Sequence, residues 1–103
     1  GMQVRVAHPP GFELDELVIQ RAREGAKAAG GSLEFSHQLE AAVAGAHVVY
    51  ARSWGSLEAY GNPTLAASRR ARHTDWRIDE RLLAQGERAR LMHAMPVRRN
   101  LEV

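Results

Sequence analysis

Four short apolar segments alternate with segments of helical spacing along this 103-residue chain, and that alternation limits the folds it can adopt. The predicted strands are Gln3 to Ala7, Ser32 to Phe35, His47 to Ala51 and Arg90 to Met92. Strands that alternate with helices favour a parallel sheet with right-handed crossovers and helices on both faces. The chain therefore predicts an α/β three-layer sandwich with a parallel sheet of about four strands.

Local signals bound the helices between these strands. The first is predicted from Asp15 to Ala29, with an apolar stripe of Leu14, Leu17, Val18 and Ala22, and Gly30-Gly31 ends it. A second helix is predicted from Gln38 to Ala44, with Ser36 as its cap. A third is predicted from Asn62-Pro63 to about Arg72. A fourth, of about six residues, is predicted after the cap Asp79. The run Val48-Val49-Tyr50 is typical of a strand covered on both faces.

Composition excludes several classes of protein. Residues 1–103 suffice for one small domain, and the abrupt start and end at strands favour a partial one. There is no cysteine, which excludes disulfides and thiolate metal sites. The formal net charge is only +2, and the basic run Arg69-Arg70-Ala71-Arg72 is interpreted as a solvated helix face, so we expect no nucleic-acid binding. No apolar run approaches the roughly 20 residues that span a bilayer, so a cytoplasmic protein without membrane contact is expected.

Ligands of open α/β sheets bind beyond the carboxyl ends of the strands. Four loops follow the predicted strands, and we expect them on one edge: His8 to Pro10, Ser36-His37, Arg52 to Gly55, and His93 to Asn100. Arg98 and Arg99 follow a proline, and their guanidinium forks suit a phosphate or carboxylate. Arg52 suits a second anion at the neighbouring strand end. The alternative is that Arg98 and Arg99 are ordinary surface residues.

Histidines at this edge and the glycine pattern of the chain bear on other kinds of chemistry. His93 follows a strand and suits a catalytic or a purely structural role. His8, His37 and His93 can approach one another, but their spacing is not that of local ligands and no carboxylate joins them, so no metal is predicted. The chain lacks G-x-G-x-x-G and P-loop patterns, so no nucleotide cofactor is predicted. Trp54 is interpreted as a substrate wall or a core residue.

Several stretches resemble the N-acetylornithine and N-succinylornithine carbamoyltransferases. Met92 to Asn100 is similar to that family's H-C-L-P-x-R-R-N stretch, and Ala51 to Ser56 to its A-K-S-W-G-S loop. Other matches follow in the same order: His8 to Asp15, Gly30-Gly31-Ser32, Ala46 to Tyr50, and Asp75-Trp76. The resemblance covers essentially the whole chain and implies a Rossmann-like amino-acid-binding domain.

The resemblance also implies a reaction and a set of site residues. The family transfers a carbamoyl group from carbamoyl phosphate to the side-chain amine of an N-acylated ornithine, in arginine biosynthesis and without a cofactor. His93 and Arg98 would be catalytic. Substrate contacts would come from Arg52, Ser53, Trp54, Gly55, Ala94, Met95 and Arg98.

This chain departs from the family pattern in two ways: some site residues differ, and some parts of the family's sequence are absent. Ala94 stands where the family has cysteine, Met95 where it has leucine, and Arg52 where it often has lysine. The S-T-R-T-R-T signature of the N-terminal carbamoyl-phosphate domain is absent, as are the opening strand and closing helix of the amino-acid domain. We therefore expect little activity from this chain alone and, by resemblance, a homotrimer in the parent enzyme. The alternatives are a non-catalytic α/β scaffold and, third, nucleotide or nucleic-acid binding.

Overall fold

The structure, a computed structural model that describes residues 1–95 and 103, has four strands where the sequence predicts them. They are β1 (Gln3–Ala7), β2 (Ser32–Ser36), β3 (Val48–Ala51) and β4 (Arg90–His93). Each end lies within one residue of its predicted position. Apolar runs bounded by glycine, proline and serine therefore defined the strands well.

The strands pair in parallel, as predicted, but they form two sheets of two strands each. In the first sheet, Ala7 of β1 lies opposite Ser36 of β2. In the second, Ala51 of β3 lies opposite His93 of β4. The parallel α/β architecture is confirmed, whereas the single sheet of about four strands is replaced by two pairs. Among the described residues each strand has one hydrogen-bonded neighbour, because no described strand joins the two pairs.

Within residues 1–95, five helical segments connect and flank the strands. They are α1 (Glu16–Ala28), α2 (Leu39–Val43), a short 3-10 helix (Leu57–Ala59), α3 (Pro63–Ala71) and α4 (Glu80–Leu83). The predicted caps of α1 and α3 are confirmed: Asp15 accepts from the Leu17 N–H at 3.0 Å, and Asn62 accepts from the Leu65 N–H at 3.1 Å. Gly30 follows the end of α1 with φ 71°, a left-handed conformation that glycine adopts more readily than other residues.

Local details differ from the predictions at three places. Ser36 does not cap α2, because its hydroxyl accepts from the Gln38 N–H at 3.0 Å, before the helix begins. Asp79 does cap α4, but the helix has four residues instead of about six. The 3-10 helix was not predicted, since three residues leave no periodic pattern.

The apolar core lies on one side of the second sheet. Val43, Ala51, Ile78 and Leu82 form it, and they come from α2, β3, the segment before α4, and α4. Val49 and Val103 are partly buried against it. Burial of this kind supplies most of the favourable free energy of folding. The second sheet is therefore the better anchored of the two.

Two predicted apolar surfaces are left uncovered by the described residues. In the α1 stripe, Leu17 and Val18 are 55% and 56% exposed, and no α1 residue is buried. In β3, Val48 and Tyr50 are each 52% exposed, so this strand is covered on one face only. The prediction of cover on both faces is wrong here because no described element packs on that side. No described helix is long and apolar enough to cross a membrane.

Candidate functional site

The loops that follow β1 and β3 meet through an aromatic cluster. The Phe12 and Trp54 rings are 4.9 Å apart between centroids and nearly perpendicular, at 81°. His73 lies against Phe12 in the same manner at 5.5 Å. The two loops therefore lie together, as the topology predicted. Phe12 is buried and Trp54 half-buried, so Trp54 helps to hold the loops while keeping an exposed part.

The register of the second sheet brings two predicted substrate-binding segments side by side. Ala51 pairs with His93, so Arg52 and Ala94 are the first residues after two adjacent parallel strands. Arg52 and Ser53 are exposed. Gly55 is exposed too, and a Cβ added there would meet no atom within 4 Å. This loop thus offers a cationic side chain and open space at the strand end.

An interaction missed from the sequence anchors that loop to α3. Arg69 Nη1 donates to the buried Ser56 hydroxyl at 2.8 Å and to Glu58 Oε2 at 2.9 Å. The interpretation of Arg69 as part of a solvated face is therefore wrong, since its guanidinium turns inward. The sequence does not predict these hydrogen bonds, because Arg69 lies in a basic run and nothing in its local sequence distinguishes it from Arg70. The contact fixes the far end of the loop that carries Arg52.

The end of β4 carries the remaining predicted residues that the structure describes. His93 is half-buried, and its Nδ1 donates to the carbonyl oxygen of Ala94. Ala94 is half-buried and Met95 is exposed. Arg98 and Arg99 lie outside the described residues, so their roles stay predictions.

A second cluster of polar side chains lies at the carboxyl ends of β1 and β2. His8, Glu13 and His37 place ligand-type atoms within 4.8 Å of one another. His93 does not belong to this group, whereas Glu13 does, so the expectation that no carboxylate joins the histidines is wrong. Glu13 was missed because it is five residues from His8 along the chain, beyond a turn at Gly11 with φ 88°. The turn after Pro9-Pro10 is the signal that could have indicated it.

The pKa of the Glu13 carboxyl is lowered from its ordinary value. The main cause is hydrogen bonding to the backbone N–H groups of Glu13 and Gly11, and the nearby His8 and His37 contribute less. The carboxylate is therefore ionised at neutral pH. This places an anion beside two imidazoles.

Comparison with known proteins identifies the family. All of residues 1–103 match the Asp/Orn binding domain of aspartate/ornithine carbamoyltransferases. This chain belongs to that family. The resemblance inferred from the sequence motifs is thereby confirmed over the whole chain.

Individual carbamoyltransferases are similar over the same range. The N-acetylornithine carbamoyltransferase of Xanthomonas campestris pv. campestris is 38% identical over 99% of this chain. The ornithine carbamoyltransferase of a Parafrankia species is 36% identical over 100% of it. The crystal structure of acetylornithine transcarbamylase complexed with acetylcitrulline superposes with a TM-score of 0.89, at 38% identity over 99% of this chain. The fold is thus that of the carbamoyltransferase domain.

The chain spans less than a third of these relatives. It covers 30% of the Xanthomonas enzyme, 32% of the Parafrankia enzyme and 31% of the crystallised transcarbamylase chain. Each of these relatives is therefore a longer protein, and this chain matches one part of it.

Proposed function

We propose that this chain is the amino-acid-binding half of a carbamoyltransferase that acts on N-acetylornithine or N-succinylornithine in arginine biosynthesis. The observation that carries the proposal is the strand register that sets the Arg52 loop beside His93 and Ala94, within a chain matched throughout by the carbamoyltransferase amino-acid domain. The similarity to N-acetylornithine carbamoyltransferases supports the acylated substrate.

The reaction joins an amine to a carbamoyl carbon. The side-chain nitrogen of the acylornithine attacks that carbon, the bond from the carbon to the phosphate oxygen breaks, and phosphate leaves with the electron pair. The amine loses one proton, and the product is an acylated citrulline. No cofactor takes part. Positioning of the two reactants and stabilisation of the developing negative charge supply the rate increase.

Arg52 binds the carboxylate of the amino-acid substrate in this proposal. Its guanidinium is exposed at the strand end, and a planar fork matches a carboxylate through two hydrogen bonds. Ser53 and Gly55 line the same loop. Trp54 forms a wall whose orientation is held by the perpendicular contact with Phe12.

His93 and Arg98 carry the catalytic roles. The Nδ1–H of His93 is held by the Ala94 carbonyl, which orients the ring at the carboxyl end of β4. His93 and the main chain of Ala94 and Met95 frame the carbamoyl group and the attacking amine. Arg98 binds carbamoyl phosphate, by the resemblance of its motif.

The remaining parts of the active enzyme come from outside this chain. A carbamoyl-phosphate domain supplies the main phosphate contacts, and a homotrimer in the cytoplasm is the proposed assembly. Coverage of about 30% of the relatives' length supports this division. The chain by itself binds substrate weakly and has little or no transferase activity.

Binding of N-acetylornithine tests the proposal. We expect saturable binding to the wild-type chain by isothermal titration calorimetry, and a loss of about tenfold or more in Arg52→Ala, because a charge-assisted hydrogen bond contributes about 1.5–3 kcal/mol. Arg21→Ala removes the same charge from exposed α1 and is the matched control. Equal affinity in Arg52→Ala and Arg21→Ala would contradict the proposal.

A non-catalytic scaffold is the second candidate function. The exposed Val48 and Tyr50 on β3 favour it, since an uncovered apolar face promotes association. That function predicts self-association by analytical ultracentrifugation together with no response to acylornithines.

A further inference from the structure

The His8, Glu13 and His37 cluster has the composition of a metal site. His8 and Glu13 come from the loop after β1, and His37 comes from the loop after β2. Their candidate ligand atoms, one from each residue, all lie within 4.8 Å of one another. The two imidazole rings are 5.0 Å apart between centroids, at 81°. Three side chains from two neighbouring strand ends thus converge on one point.

Hydrogen bonds from the backbone set the tautomer of both histidines. His8 Nδ1 lies 2.9 Å from the carbonyl oxygen of Pro9, and His37 Nδ1 lies 3.0 Å from the carbonyl oxygen of His8. A carbonyl oxygen only accepts, so each Nδ1 carries the proton and each Nε2 carries a lone pair. Metal-binding histidines are held by bonds of this kind in most proteins. Nε2 is therefore the ring nitrogen that each neutral histidine leaves for a metal ion.

Glu13 supplies a negative charge to the same place. Its Oε1 accepts from the Gly11 N–H at 3.1 Å, which holds the side chain against the loop. A carboxylate accepts through two oxygens, so capacity for a metal remains beside this bond. The side chain is also exposed and can adjust its position.

The cluster borders an open cavity of about 200 Å³. Glu16 also lines this cavity and adds a second carboxylate. Arg23 is the cationic residue in the lining, and its guanidinium carbon lies 5.5 Å from the centroid of the Phe35 ring. Among the described residues that line the cavity, two carboxylates outnumber one guanidinium. The opening admits an ion together with water.

We propose that His8, Glu13 and His37 form a binding site for a divalent transition-metal ion of the zinc type, with a water molecule as the fourth ligand. Two imidazoles and one carboxylate are an established zinc ligand set. Calcium and magnesium prefer oxygen ligands alone, which disfavours both. Zinc bonds of about 2.0–2.2 Å place tetrahedral ligands about 3.4 Å apart. The three ligand atoms lie within 4.8 Å of one another, so metal binding requires the side chains to move closer together.

The cluster shares no residue with the proposed carbamoyl-transfer site. It lies at the carboxyl ends of β1 and β2, whereas Arg52 and His93 lie at those of β3 and β4. A bound metal would join the loop after β1 to the loop after β2 and stabilise the sheet that lacks the apolar core. Failure of one proposal therefore leaves the other standing.

Titration of the tag-free, EDTA-treated chain with Co²⁺ and Zn²⁺ tests the site. We expect one equivalent of Co²⁺ to produce visible absorption of a tetrahedral complex, Zn²⁺ to displace it, and Zn²⁺ to raise the melting temperature. Absence of saturable binding, or an octahedral Co²⁺ spectrum that Zn²⁺ does not replace, would overturn the proposal.

Three variants locate the site. His37→Ala and Glu13→Gln change exposed side chains, and each should weaken Zn²⁺ binding by about tenfold or more. The control is His47→Ala, which removes an exposed histidine that pairs with Glu87 at 3.1 Å. Circular dichroism checks that each variant is folded. Unchanged Zn²⁺ affinity in His37→Ala, or an equal loss in His47→Ala, would contradict the assignment.

Discussion

The two sheets differ in how they are stabilised and in what their ends carry. The β3–β4 sheet contacts the apolar core through Ala51, and its strand ends hold an exposed Arg52 beside Ala94. The β1–β2 sheet contributes no residue to that core cluster, yet its strand ends hold side chains already in contact with one another. The β3–β4 end therefore lies next to the apolar core, whereas the β1–β2 end has a cluster of polar side chains close to one another. A residue's position at the end of a strand therefore does not by itself identify a functional site; the contacts of its side chain are needed as well.

The largest expected change in stability comes from a substitution in the apolar core beside the β3–β4 sheet, compared with the same substitution in α1. Leu82 is 6% exposed in the core, so Leu82→Ala should lower the free energy of unfolding by about 2–5 kcal/mol. Leu17→Ala makes the same change in α1, where the side chain is 55% exposed, and should change stability by less than about 0.5 kcal/mol. Urea unfolding followed by circular dichroism measures both. Similar losses in the two variants would show that α1 is better covered in solution than in this structure.

Phe12 joins the two regions, and its replacement should have an intermediate effect. Phe12→Leu keeps an apolar residue but removes the perpendicular contacts with Trp54 and His73. The expected loss is about 1 kcal/mol, the usual contribution of an aromatic pair. The tryptophan fluorescence, to which Trp54 and Trp76 both contribute, should also change, because the neighbour of Trp54 in the folded state is altered. An unchanged spectrum and an unchanged midpoint would argue that the two loops do not meet.

The sequence predicted the strands, the caps and the joining of the loops because these depend on local patterns and on topology. Asp15, Asn62 and Asp79 each cap the helix that their position indicated. The inward turn of Arg69 and the approach of Glu13 to His8 depend on contacts between segments that no short pattern encodes. The exposure of Leu17 could not be predicted either, since an apolar stripe indicates a face to be covered without stating what covers it.

The smallest expected effect is a pH dependence of stability that comes from Glu13, at the β1–β2 end. The lowered pKa of Glu13 means that the folded state favours the carboxylate. This contribution to stability is fully present above the unfolded pKa of about 4.3 and is lost as the pH falls through the lower folded pKa. Metal-free wild type should therefore exceed Glu13→Gln slightly in stability at pH 7, and the difference should shrink towards pH 3. A difference that grows as the pH falls would contradict the sign of this shift.

We propose above all that this chain binds the amino-acid substrate at the β3–β4 end. The most direct test is to titrate the chain with N-acetylornithine, with and without carbamoyl phosphate, and to follow backbone amide shifts by NMR. We predict saturable shifts from Arg52 to Gly55 and from His93 to Arg99, with His8 and His37 unaffected. A well-dispersed spectrum without shifts at millimolar ligand, or shifts confined to the β1–β2 end, would contradict the claim.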